Sequence, residues 1–285
     1  MTSQDPATGQ APHPLRPGFS ARPAPPADPA VFAPDELDAL VDHVRAEGYA
    51  ILRGAFDEAT LAELDVDMAQ RQADLAAGRL PDKHGTIILD DPDAVIDGRP
   101  FVHYVCQVTE CSDAADRAVH EPHVVDVITR LLGPHAWLLE DDRFGVVFQD
   151  ARPGDGVGDR SGYSRIGWHS DWQSGPHLEM WPSVAFTIHL DATSPANGFL
   201  RVVPRSHLGG TDEMPLGFEK VPGEVAVYAD RGDVIFHDAH LWHGAARATE
   251  DGAGAVRRHL RGGWYGGVRL PPAHGVDDFV KNARR

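Results

Sequence analysis

The sequence predicts a mainly β barrel or sandwich with flanking helices, and three observations predict it. After Trp137 come short β-rich runs at Phe144–Phe148, Val184–Leu190, Phe199–Val203, Glu224–Tyr228, Asp233–Phe236 and Arg258–Trp264, separated by Gly, Pro, Asn and Asp clusters. The helical periodicities fall before that point, so helices and strands do not alternate as in a doubly wound sheet. No Gly-rich phosphate loop opens a helix.

At the start of the chain, residues 1–33 hold eight prolines and almost no periodic apolar residues. Such a segment buries too little surface to offset its ordering entropy, so it reads as a disordered arm, with residues 34–285 as one domain. Pro34 with Asp35 and Glu36 suits a helix start, and Leu37, Leu40, Val41 and Val44 repeat at helical spacing until Gly48. Tyr49–Leu52 reads as a short strand. A second helix is predicted over Glu58 to Ala77, with Leu61, Leu64 and Met68 on one face, and a third over Pro122 to Leu132, ended by Gly133-Pro134.

Composition narrows the function. Acidic residues outnumber basic ones 43 to 26 for a formal charge of −17 over 285 residues, which disfavours nucleic acid and anionic membranes as partners. No stretch approaches the roughly 20 apolar residues of a membrane span, and no basic segment followed by an apolar run marks a secretory leader. A cytoplasmic protein is the expectation. Two cysteines, Cys106 and Cys111, are too few for a thiolate zinc site or a disulfide framework, whereas sixteen histidines leave imidazole and carboxylate as the available metal ligands.

The sharpest motif is Gly167-Trp168-His169-Ser170-Asp171. Side chains two apart on an extended segment share a face, so His169 and Asp171 can reach one metal. A second histidine from a distant strand would complete a two-His-one-carboxylate triad with open coordination positions. Taken alone, H-x-D is a weak signal. Its weight comes from the order of residues downstream: Asn197-Gly198-Phe199-Leu200, then Pro204-Arg205-Ser206-His207, then Gly232-Asp233 before Phe236, then His243-Gly244, then Arg257-Arg258.

That ordered series resembles the phytanoyl-CoA dioxygenase-like family of Fe(II)/2-oxoglutarate-dependent oxygenases, from about Leu37 to Trp264. One element departs: Arg205 stands where the family pattern has the Gly of P-G-S-H. The resemblance implies a double-stranded β-helix (jelly-roll, cupin-like) barrel. It also implies Fe(II) held by His169, Asp171 and His243, with His240 as the fallback for His243. The family chemistry is hydroxylation of an unactivated C–H bond of a small molecule, with 2-oxoglutarate and O2 converted to succinate and CO2. Related halogenases replace the carboxylate with Gly or Ala, so Asp171 favours hydroxylation.

The C5 carboxylate of 2-oxoglutarate needs a cation, and a guanidinium matches it in shape and keeps its proton. Arg257 and Arg258 must face opposite sides of a strand. With Arg257 inward, His259 and Arg261 share the polar interior and Arg258, Leu260 and Trp264 pack outward, so Arg257 is preferred. Thr187 is a further candidate for the cosubstrate. Gln149, Trp168, Trp172 and Arg165, the last in a Gly-rich flap over Arg152 to Arg165, are candidates for the substrate chamber, although the tryptophans also suit rim packing. His207 suits a structural turn, and His177 and His189 read as supporting or surface residues. A non-redox metallo-cupin and a catalytically silent binding barrel are the alternatives of a different class.

Overall fold

The computed structural model describes residues 30–85, 95–96, 99–142, 145–151, 166–171, 180–209, 214–215, 217–218, 220–250 and 255–269. Its first half is strand β1 (Val31–Phe32), helix α1 (Leu37–Glu47), strand β2 (Tyr49–Leu52), helix α2 (Glu58–Ala76), a small hairpin of β3 (Val95–Ile96) and β4 (Arg99–Pro100), strand β5 (Tyr104–Cys106), and helices α3 (Asp113–Val119) and α4 (Pro122–Leu132). Among the described residues the second half holds strands β6 (Trp137–Leu138), β7 (Val147–Ala151), β8 (Ile166–His169), β9 (Ser183–His189), β10 (Leu200–Val202), β11 (Val225–Val227), β12 (Val234–Asp238), β13 (His243–Ala245) and β14 (Arg257–Tyr265), with a short 3-10 turn at Ser206–Leu208.

Two sheets make the barrel. The larger runs β1-β2-β12-β9-β14-β7-β5, with β6 added on β14, and the smaller runs β11-β10-β13-β8. The residues shared out by these sheets line one cavity, and the arrangement is the double-stranded β-helix that the motif order implied.

The helices form where local signals dictate. The Asp57 carboxylate accepts from the Thr60 amide at the start of α2, and the Glu121 carboxylate accepts from the His123 and Val124 amides ahead of Pro122. Gly48 ends α1 at φ 92°, a left-handed turn that favours glycine. All four helices lie on the outer face of the large sheet. Leu40, Val44, Leu64, Met68, Val127 and Ile128 pack there against Phe148, Phe186, Ile188, Phe236 and Leu260. Each such side chain contributes about 1.5–3 kcal/mol by leaving water. Among the described residues no helix is long and apolar enough to cross a membrane.

Some boundaries differ from the sequence reading. A strand precedes Pro34, because β1 pairs in parallel with β2. Residues 1–29 lie outside the described residues. The run expected at Phe144–Phe148 is centred later, at Val147–Ala151, so Gln149 sits mid-strand with its polar side chain facing the cavity. Helix α3 went unread because seven alanine-rich residues carry little periodicity, although Ser112 caps it by accepting from the Ala115 amide.

The departure at Arg205 has a visible cost. Its φ is 69°, in the left-handed region, where a Cβ is crowded, and its side chain is exposed. Arg205→Gly removes that crowding and little packing, while adding flexibility to the unfolded chain. The substitution is expected to stabilise by up to about 1 kcal/mol, read as a higher urea midpoint at unchanged slope; a lower midpoint would show that the turn tolerates arginine without strain.

Candidate functional site

Strands β8 and β13 pair antiparallel with His169 opposite His243, so the two imidazoles enter the barrel side by side, ring centroids 4.1 Å apart. In each, Nδ1 lies 2.9 Å from the carbonyl oxygen two residues earlier, that of Gly167 for His169 and of Leu241 for His243. A carbonyl only accepts, so each Nδ1 donates its proton and each Nε2 keeps a lone pair. Asp171 brings Oδ1 to 3.9 Å from His169 Nε2 and 3.7 Å from His243 Nε2. Three donor atoms therefore converge within 4.8 Å of one another. Two imidazoles with preset tautomers and one carboxylate fit iron(II).

His237 completes the arrangement. Its Nε2 donates to Asp171 Oδ2 at 3.1 Å, which occupies one carboxylate oxygen and leaves Oδ1 to face a metal together with the other two imidazoles. Burial acts to raise the Asp171 pKa, yet His243, His237 and His169 hold it well below the ordinary carboxylate range. The carboxylate is ionised, as a ligand must be. His240, the fallback ligand, is not part of the cluster; its ring lies tilted against Trp181, centroids 4.9 Å apart, and it faces Asp238.

These groups open on a cavity of about 400 Å3. Strand alternation decides what lines it. On β9 the inward set is Ser183, Ala185, Thr187 and His189, while Val184 and Ile188 join the core outside and Phe186, also in that core, borders the cavity. On β14 the inward set is Arg257, His259, Arg261, Gly263 and Tyr265. Register pairs these side chains into rungs: His237, Ala185 and Gly263 level with one another, then Ile235, Thr187 and Arg261, then His189, His259 and Gln149. Arg257 lies past the last of these rungs.

The two adjacent arginines part as strand geometry requires. Arg257 is 5% exposed, its Nε has no hydrogen-bond partner, and burial lowers its pKa to about 10. Arg258 faces outward, bonded to both Asp191 oxygens at 2.8 and 2.9 Å and to Asp65 at 3.1 Å, and those partners raise its pKa. The Asn-Gly motif explains itself here. Asn197 Nδ2 donates to the Val256 carbonyl, fixing the start of β14, and a Cβ on Gly198 would lie 3.1 Å from Arg257 Nη1 and 2.6 Å from the Ala246 oxygen. Ser206, of the P-x-S-H element, accepts from the Trp242 amide and so holds the chain entering His243.

Gln149 and Thr187 line the cavity as expected, although Thr187 pairs in register with Arg261, not with Arg257. Trp168 does not line it. It packs among Val203, Met214, Val221 and Trp242, with Arg201 over its ring, because His169 beside it takes the inward direction. Trp172 and Arg165 lie outside the described residues, as do His177 and the flap from 152 to 165. His189, expected as a supporting or surface residue, is buried in the cavity wall. His237 was missed as a lining residue because the strand read as Asp233–Phe236 continues to Asp238; extending the alternation one step would have found it.

The fold and donor set define a non-haem Fe(II)/2-oxoglutarate-type oxygenase. The chain belongs to the phytanoyl-CoA dioxygenase (PhyH) family, whose model matches residues 44–255. Its fold is similar to that of EctD from S. alaskensis with bound Fe (19% identity, TM-score 0.60, covering 89% of this chain and 83% of that one). It is also similar to the non-haem α-ketoglutarate-dependent epimerase SnoN from nogalamycin biosynthesis (21%, 0.58, 81% and 83%). The carbocyclase SnoK from the same biosynthesis is a third (20%, 0.58, 79% and 82%). No curated protein matches the sequence at a significant level.

His189 gives the cavity a pH signature. Burial, then the nearby Arg257, push its pKa down to about 3. In the unfolded chain a histidine takes its proton near 6.5, so the unfolded state gains protons first as the pH falls between these values. Stability is therefore lost on acidification through that window, by of order 1 kcal/mol per pH unit from this residue. Urea midpoints of the metal-free protein from pH 7 to 4 are expected to fall less steeply in His189→Leu; an equal slope would place the titration elsewhere.

Proposed function

We propose that this protein is a dioxygenase that hydroxylates an unactivated C–H bond of a small molecule, using Fe(II) with 2-oxoglutarate and O2 as cosubstrates and releasing succinate and CO2. The observation that carries the reading is the convergence of His169 Nε2, Asp171 Oδ1 and His243 Nε2 at the wall of a cavity that also contains the buried Arg257, whose Nε has no hydrogen-bond partner. Iron bound by these three groups would supply the oxygen chemistry and leave coordination positions open.

The chain's own residues do the rest. Gly167 and Leu241 carbonyls orient the ligating imidazoles, and His237 keeps Asp171 in place. Arg257 offers a buried fork for the C5 carboxylate of 2-oxoglutarate, in a wall where His189 and His259 are neutral and repel nothing. Arg258, committed to Asp191 and Asp65, does not compete for that role. The barrel shields the reacting groups from bulk water. SnoN and SnoK come from the biosynthesis of a natural product, which favours a substrate from specialised metabolism. Because one is an epimerase and the other a carbocyclase, the product decides between hydroxylation and these outcomes.

Anaerobic addition of Fe(II) and 2-oxoglutarate is expected to give a visible metal-to-ligand charge-transfer band, lost in His169→Ala and Asp171→Ala. Arg257→Gln, which removes one partner of a buried charge pair worth about 2 kcal/mol or more, is expected to weaken 2-oxoglutarate binding about thirtyfold or more. A wild type without the band would favour a non-redox metal barrel or a silent binding barrel.

A further inference from the structure

We propose that Arg261 is the specificity-determining cation of the substrate chamber and that the substrate of this enzyme carries a carboxylate or similar anionic group. The inference rests on the Fe(II)/2-oxoglutarate reading above and extends it to the substrate class.

Two guanidinium groups line one cavity. Arg257 and Arg261 are on the same face of β14, four residues and ~13 Å of strand apart. They point to different neighbours. Arg257 brings Nη1 against Gly198, in the turn ahead of β10 of the small sheet. Arg261 instead lies over the ring of Tyr104, on β5 at the opposite end of the large sheet, with Cζ 5.3 Å from the ring centroid. Among the described residues no carboxylate pairs with either group inside the cavity. The acid that lines it, Asp171, accepts from His237 and faces the Nε2 atoms of His169 and His243 as part of the metal-binding set.

The charges make one cation surplus. Iron(II) with Asp171 keeps one positive charge, 2-oxoglutarate brings two negative charges, and Arg257 returns the sum to zero. The chelating carboxylate of 2-oxoglutarate belongs to the metal, so the cosubstrate has a single free carboxylate and uses a single guanidinium. His189 and His259 add no charge, since burial holds both far below the ordinary histidine range. Arg261 remains charged, because Tyr104 and the field of Asp171 offset its burial. A cation kept charged in the cavity wall, with no carboxylate bonded to it among the described residues, is the element that would select an anionic ligand. Gln149, across from His259 in the next rung, adds an amide to the same region.

The test uses the anaerobic Fe(II)–2-oxoglutarate enzyme and matched acid–amide pairs of increasing size: hexanoate and hexanamide, phenylacetate and phenylacetamide, indole-3-acetate and its amide. Binding is read from perturbation of the charge-transfer band and from tryptophan fluorescence at saturating 2-oxoglutarate. Acids are expected to bind at least tenfold tighter than their amides to the wild type. That preference should disappear in Arg261→Gln or Arg261→Met, either of which suffices if the other does not fold, and persist in Arg261→Lys. Equal binding of acids and amides, no binding by either, or a preference retained without the Arg261 charge overturns the proposal. So does a preference that fades as 2-oxoglutarate is raised, which marks competition at Arg257. Loss of the band in Arg261→Gln with its retention in Arg257→Gln would make Arg261 the cosubstrate's cation and overturn it as well. If the wild type shows no band at all, it is the oxygenase reading that fails.

Discussion

The two-faced large sheet is the constraint on which the rest of this molecule depends. A barrel lumen holding two arginines and several neutral histidines is an expensive interior, since each buried polar group loses water without gaining a full set of partners. It is tolerated because the same strands present Phe148, Phe186, Ile188, Phe236 and Leu260 to four helices on the other side. One register therefore serves both purposes. A single-residue slip of β14 would turn Arg257, His259 and Arg261 into the helix-packed core and Leu260 and Trp264 into the lumen. The apolar layer fixes the register, and the register aims the polar side chains.

The motif residues that touch neither metal nor ligand act as ties on that frame. Asp233 takes both forks of Arg53, with Nη2–Oδ2 at 2.8 Å and Nε–Oδ1 at 3.1 Å, and so binds the entrance of β12 to the end of β2. Gly232, at φ 86°, lets the chain turn where a Cβ would lie 2.9 Å from Leu61. Asn197 joins the turn before β10 to the start of β14, and Ser206 joins the next turn to the approach of β13. Each tie ends one or two residues from a group that faces the site. The spacing of these motifs along the chain is thus the trace of a few cross-connections in space.

Much of this was legible beforehand. The helices over Leu37, Glu58 and Pro122 carry amphipathic spacing and explicit caps, and the inward phase of Arg257 follows from requiring Leu260 and Trp264 to face the core. The metal ligands were legible by resemblance, not by spacing, because His169 and His243 become neighbours only through the pairing of β8 with β13. The outward direction of Trp168 was open to strand alternation, since His169 beside it faces inward. Local pattern could not show the His237–Asp171 contact, which joins residues 66 positions apart. Thr187 illustrates the limit in another way. Its inward direction was readable, but its rung, level with Arg261, depends on the register of three strands.

The net charge of −17 and the cationic wall of the cavity act on different length scales. At physiological ionic strength the field of surface carboxylates fades over roughly 8 Å, so an anion approaching the barrel mouth responds to what lines it more than to the whole protein. Inside, screening is weak and the lower dielectric strengthens each remaining interaction. Arg257 and Arg261, with no carboxylate bonded to either among the described residues, then dominate the local potential, while burial keeps His189 and His259 neutral. An acidic exterior and an anion-accepting interior are compatible for that reason. The net charge disfavours polyanionic partners, and the lumen, through two guanidinium groups aimed in different directions, sets which small acids are held and where.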